Sequence, residues 1–177
     1  MSENPPNNPP YVLQPKVHWS RATGYLQLGM LEQAKTELGM LPHELPWGKQ
    51  KRAMRVEISK QEKNWAEMCR LAHGLRMEFP EDAEWWIADA YATRRNQSVE
   101  LAREILLEAL VHHYEDAMIR YNLACYACKL GSLGECLDFL KEAAKRDERY
   151  KQMAMEDQDL EGVREALRKM GWGDVIV

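Results

Sequence analysis

The sequence predicts an all-α protein built from helix-turn-helix repeats and closed by a C-terminal capping helix. Three observations carry this reading. A period of 34 residues runs without a gap from Pro15 to Tyr150. Small and larger apolar residues recur at fixed places within each period. Glycine, proline and capping residues fall where helices must stop and start.

The repeat comes first, because a period of 20 to 50 residues decides a fold before any local signal does. Four windows cover 15–48, 49–82, 83–116 and 117–150. Their eighth position is Ala22, Val56, Ala90 and Ala124. Their twentieth is Ala34, Met68, Ala102 and Cys136. The twenty-fourth is Leu38, Ala72, Leu106 and Leu140, and the twenty-seventh is Leu41, Leu75, Ala109 and Ala143. Small residues fall where two helices approach closely, and larger ones fall where a core is filled.

In chain order, residues 1–14 form a proline-rich arm expected to be disordered, since proline removes donors and restricts its neighbours. Tyr11, Val12 and Leu13 are its only apolar residues. Gly29 and Gly131 suit the left-handed conformation that closes the first helix of windows one and four. Pro42 to Gly48 reads as a turn between the first two windows. Asn64, with Glu67 three places on, has cap spacing, and Ser132 with Glu135 has capping-box spacing. In window three Gln97 stands in the turn where the first and fourth have glycine. The period stops after Tyr150. Residues 151–177 read as a cap and an apolar tail. A short helix over Lys151 to Met155 comes first. Leu160, Val163, Leu167 and Met170 follow at helical spacing, with Asp159 as cap and Gly171 as stop. A stack of repeats leaves its last apolar face bare, so a capping helix is expected there.

Composition narrows the function classes. Of 177 residues, 45% are hydrophobic and 29% charged, which implies a folded, soluble chain. A net charge of −4 with both signs interspersed gives no footprint for nucleic acid or an anionic membrane. No run of 18 apolar residues is present, and the N-terminus lacks the regions of a signal peptide. Cys69, Cys125, Cys128 and Cys136 show no disulfide framework and read as reduced thiols in a cytoplasm. Cys125 and Cys128 form a Cys-x-x-Cys pair, but inside a helix rather than on the turns of a zinc site. Cys136 holds a small core position, where cysteine behaves as a small hydrophobe. None of the five histidines has a nucleophile or carboxylate at catalytic spacing, and no phosphate-cradling loop appears. The expectation is a protein that is not an enzyme and has no cofactor and no metal.

The window pattern resembles the tetratricopeptide repeat family in its bacterial-type form, most clearly through Leu123, Ala124, Gly131, Cys136, Leu140 and Ala143. The first window matches through Ala22, Tyr25, Gly29, Ala34 and Pro46, and the second is weakest, with Val56, Ser59 and Met68. The resemblance implies a right-handed α-solenoid whose first helices line a concave groove. It implies that the groove is lined by Trp19 and Thr23 in window one and Glu57 in window two. In window three these are Ile87, Tyr91, Arg94 and Arg95, and in window four Tyr121, Cys125 and Lys129. Such a groove mixes aromatic surfaces with cations and suits a peptide or helix of another protein carrying apolar anchors and an acidic group. Two plainer readings stand beside it. Trp19 and Tyr121 are equally suited to burial between helices, and Arg94, Arg95 and Lys129 lie in last turns, where cations complement the helix dipole. Some family members grip a C-terminal carboxylate with a lysine and an asparagine where this chain has Trp19 and Thr23, so that clamp is not expected. The function expected is a protein-interaction scaffold. The alternatives are a self-associating, homo-oligomeric structural protein and a cysteine-based metal or redox protein.

Overall fold

The computed structural model describes residues 13–44 and 46–173. Nearly all of the proline-rich arm and residues 174–177 of the apolar tail lie outside them. Among the described residues the chain is helical with no strand, and it forms two compact units, 1–58 and 59–177.

The first unit holds α1 (Pro15–Gln27), α2 (Leu31–Gly39) and most of α3 (Trp47–Gln61). Pro15 opens α1, where its missing amide proton costs nothing. Gly29, at φ +69°, closes it, and the Met30 amide donates back to the Tyr25 carbonyl (2.8 Å). Ala22, Ala34, Leu38, Leu41, Met54 and Ile58 form the core of this unit. The turn between α2 and α3 is shorter than Pro42 to Gly48, because α3 already starts at Trp47, whose ring packs against Trp19 (6.2 Å between centroids). Gly48 is required here. A Cβ on it would meet the His43 carbonyl oxygen at 2.1 Å, far inside contact distance.

The second unit holds α4 (Trp65–Glu78), α5 (Ala83–Asn96), α6 (Val99–His112), α7 (Ala117–Lys129) and α8 (Leu133–Arg146). Consecutive members of this series pack against one another from α4 to α8. The period locates the core. All four residues at each of the eighth, twentieth, twenty-fourth and twenty-seventh positions are buried, with Val56 at 6% the most exposed. A capped start is seen at α4, where Asn64 accepts from the Glu67 amide (3.2 Å). Ser132, expected to do the same for α8, makes no side-chain cap bond. The two residues have nearly the same backbone (ψ 76° and 64°), so the shorter serine falls short where asparagine reaches. Ser98, in extended backbone, does cap α6 (3.2 Å).

Beyond the period come α9 (Arg149–Glu156), a 3-10 turn (Gln158–Val163) and α10 (Arg164–Lys169). The single helix expected from Asp159 to Met170 is thus split in two. Asp157, not Asp159, caps the 3-10 turn by accepting from the Asp159 amide (2.9 Å). Leu160, Val163, Leu167 and Trp172 are buried in the same core as α7 and α8, whereas Met170 is exposed. Gly171, at φ +78°, ends α10. With α6, α8 and the 3-10 turn all against it, α7 buries residues on several faces, from Ile119 to Ala127, which is why its apolar residues form no single stripe.

Candidate functional site

Two neighbouring clusters of the second unit grow from the last turn of α5. The helix brings Tyr91 and Arg95 onto one strip, four residues apart. The Arg95 guanidinium lies 3.5 Å from the centre of the Tyr91 ring and donates to the Tyr91 carbonyl (3.1 Å). The first residue of α4, Trp65, meets Tyr91 edge-on at 5.9 Å, and Arg95 also lies over the Trp65 ring at 5.2 Å. Lys60 adds a second cation, 5.9 Å from the Tyr91 ring. Trp65 and Tyr91 are half-buried, and Arg95 is exposed. Among the described residues Arg95 has no carboxylate partner.

The other cluster is held by an acidic turn. Arg94 forms an ion pair with Asp159 Oδ2, and Lys129, at the end of α7, pairs with Oδ1 (3.0 Å). These bonds to Arg94 and Lys129 hold the Asp159 carboxyl below its ordinary range. Two residues earlier, Asp157 Oδ2 accepts from the Tyr121 hydroxyl (2.9 Å) and faces the Cys125 thiol (3.7 Å). Burial first, and then the charge of Asp157, push the Cys125 thiol well up. Burial and the Cys128 thiol beside it push Cys136 up to about 12. At neutral pH both are thiols, poor nucleophiles and poor metal ligands.

A third feature escaped the sequence. Asp89 is 3% exposed between α4 and α5. Its carboxylate lies 2.9 Å from Arg76 Nε and 3.3 Å from His73 Nδ1, with Thr93 Oγ1 at 3.5 Å. The Arg76 contact is ionic, since that N–H has no aligned acceptor. Arg76 also reaches Glu108 (3.3 Å) and lies over the Trp86 ring (4.6 Å). Burial raises the Asp89 carboxyl, and Arg76 and His73 oppose that shift. The group borders a cleft of about 480 Å³. Neutral-looking helical spacing gave no sign of it, because Arg76 and Asp89 lie in different windows and meet only through packing.

The residues expected to line a groove are therefore placed as follows. Trp19, Thr23 and Glu57 belong to the first unit and are half-buried, with the Thr23 hydroxyl bonded to the Trp19 carbonyl (2.9 Å). The rest belong to the second. Tyr91 and Arg95 come together, Arg94 and Lys129 meet at Asp159, and Tyr121 and Cys125 are buried at Asp157. Ile87 is half-buried against the core. Among the described residues no three His, Cys, Asp or Glu side chains gather to hold a metal ion, and no helix is long and apolar enough to cross a membrane. The class so defined is an all-helical protein of consecutively packed helices. No family model matches the chain, and no curated protein matches it.

Proposed function

We propose that the chain is a protein-interaction module of the tetratricopeptide type, a right-handed solenoid that binds an acidic segment of another protein. The binding strip is Tyr91, Arg95 and Trp65, with Lys60 at its edge. The observation that carries this reading is the Arg95 guanidinium, stacked on Tyr91 and exposed without a carboxylate partner among the described residues. Aromatic and arginine side chains dominate the energetics of protein interfaces, and a stacked guanidinium is already ordered for a carboxylate. The next residue, Arg94, gives a precedent within the chain, since it already holds Asp159 together with Lys129. The four cysteines are free, which supports a reducing compartment, and we place the protein in the cytoplasm.

Fluorescence anisotropy tests this with labelled peptides that alternate aspartate and phenylalanine, against the same peptides with lysine for aspartate. The acidic series should bind, more weakly as salt rises. Arg95→Glu with Tyr91→Ala should weaken binding at least about tenfold while circular dichroism is unchanged. Arg94 is left alone, because its loss would loosen the acidic turn instead. Equal binding of both series, or full binding by the double variant, would place the partner surface elsewhere.

A further inference from the structure

Three thiols gather where α7 turns into α8. Cys125 and Cys128 lie on the last two turns of α7, and Cys136 lies on the first turn of α8. The backbone of the Gly131 turn fixes the distance between them. The Gly131 amide donates to the Cys128 carbonyl (3.0 Å), the Ser132 amide to the Ala127 carbonyl (2.9 Å), and the Cys136 amide to the Ser132 carbonyl (3.0 Å). Cys128 and Cys136 are held side by side, and their thiols are in hydrogen-bond contact. A third element crosses the same spot. A Cβ on Gly162, in the 3-10 turn, would sit 3.3 Å from Cys128 Sγ.

The three sulfurs differ in access. Cys136 is 0% exposed and Cys125 is 3% exposed, whereas Cys128 is partly exposed. Cys125 also faces the Asp157 carboxylate (3.7 Å), whose charge opposes a thiolate. Cys128 is therefore the sulfur that an oxidant in solution meets first, and Cys136 is the thiol already against it. A sulfenic acid condenses with a thiol to give a disulfide. Burial keeps Cys136 a thiol, which on its own is a slow nucleophile. Contact offsets that, because a partner held in place replaces the collision that two separate molecules need. The fourth cysteine, Cys69, lies apart on α4, beside the Thr93 hydroxyl (3.7 Å).

We propose that Cys128 and Cys136 form a reversible disulfide that staples α7 to α8 when the chain meets a hydroperoxide. In the first step the Cys128 sulfur takes one peroxide oxygen as the O–O bond breaks. The departing hydroxide carries off the thiol proton as water and leaves a sulfenic acid. In the second step the Cys136 sulfur displaces the hydroxyl of that sulfenic acid, which leaves with the Cys136 proton as a second water. The peroxide gains two electrons, and two thiols become one disulfide, which a dithiol reductant reopens. The pair shares no residue with the strip around Arg95, and either assignment stands without the other. The test treats the full chain with hydrogen peroxide, then denatures it and labels free thiols with N-ethylmaleimide. The untreated chain should take four labels, one on each free cysteine. The treated chain should take two, run as a monomer on a non-reducing gel and recover all four labels after dithiothreitol. Trypsin should release residues 121–129 linked to residues 130–141, and fragmentation should place the bond on Cys128 and Cys136. In Cys136→Ser the sulfenic acid loses its partner, so dimedone should trap it on Cys128. If that variant does not fold, the linked peptide from the native chain decides by itself. Four labels after peroxide would overturn the proposal. So would a bond to Cys125 or Cys69, or a bond between two chains.

Discussion

At the fifteenth position of its window a single backbone angle separates the repeats. Gly29 and Gly131 stand there at φ +69° and +78°, a region glycine enters without penalty. Window two has Lys63 at the same place, and its φ of 56° shows that the turn imposes the same conformation on a lysine. A side chain in that region costs about 1–2 kcal/mol. Lys63→Gly removes that strain but adds freedom to the unfolded chain, an offset of about 0.5–1 kcal/mol. The net expectation is a gain of about 0.5–1 kcal/mol in urea denaturation. A loss would show that the lysine stem contributes packing that outweighs the strain. Window three avoids the issue, since Gln97 takes φ −132° and ψ −90°. The glycines were legible because glycine itself announces a left-handed turn. Lys63 was not, because nothing in a lysine's chemistry marks an imposed angle. Arg120 was hidden in the same way. Its window position was readable, but its burial and the charges of Glu115 and Glu142 that act on it depend on what the neighbouring elements deliver.

Among the elements, the 3-10 turn after α9 shows where reading by period ends. Leu160, Val163 and Leu167 were legible as an apolar stripe, and all three are buried. Their polar neighbours were not. Asp157 and Asp159 lie outside the period, so no spacing rule ties them to Arg94, Tyr121, Cys125 and Lys129, which they meet across 30 to 65 residues. The cations and the tyrosine were found as a face, and the segment covering part of that face was not. The ion pairs of Asp159 give a pH signature. Its folded carboxyl is depressed by Arg94 and Lys129, so its contribution is fully present above the ordinary carboxylate range. That contribution is lost as pH falls through the depressed value. Asp159→Asn should cost about 1 kcal/mol at neutral pH, and the difference from the native chain should vanish in strong acid. Cys125, beneath Asp157, reports the same contact. It should resist a thiol reagent in the native chain and react faster in Asp159→Asn, by mass spectrometry of the labelled protein. Equal stability across pH together with unchanged labelling would mean that the apolar stripe alone holds the turn.

Across the whole molecule, burial is distributed unevenly between the two units. In the first, the core is made of α1, α2 and part of α3, around Ala22, Ala34, Leu38, Leu41, Met54 and Ile58. In the second, a larger cluster runs from Trp86 to Trp172 and takes in α5 through α10, and α4 adds the buried Met68, Leu71, Ala72 and Leu75. In arrays of packed helices, stability is approximately a sum of local terms and neighbour contacts, so regions open at different free energies. Buried area governs those energies at roughly 25 cal/mol per Å². The helix that buries the most residues should be the last to open. That helix is α7, where Ile119, Leu123, Ala124 and Ala127 are fully buried. Native-state hydrogen exchange should therefore find the slowest amides in α7 and the adjoining turns of α8. Amides of α1 and α2 should exchange faster, by at least about tenfold for each 1.4 kcal/mol of difference in opening energy. The acidic turn supplies part of this protection, so Asp159→Asn should speed exchange in α7 more than in α5. Uniform protection across both units would mean that the chain opens as one cooperative body, and the uneven distribution of its core would then have no consequence for local stability.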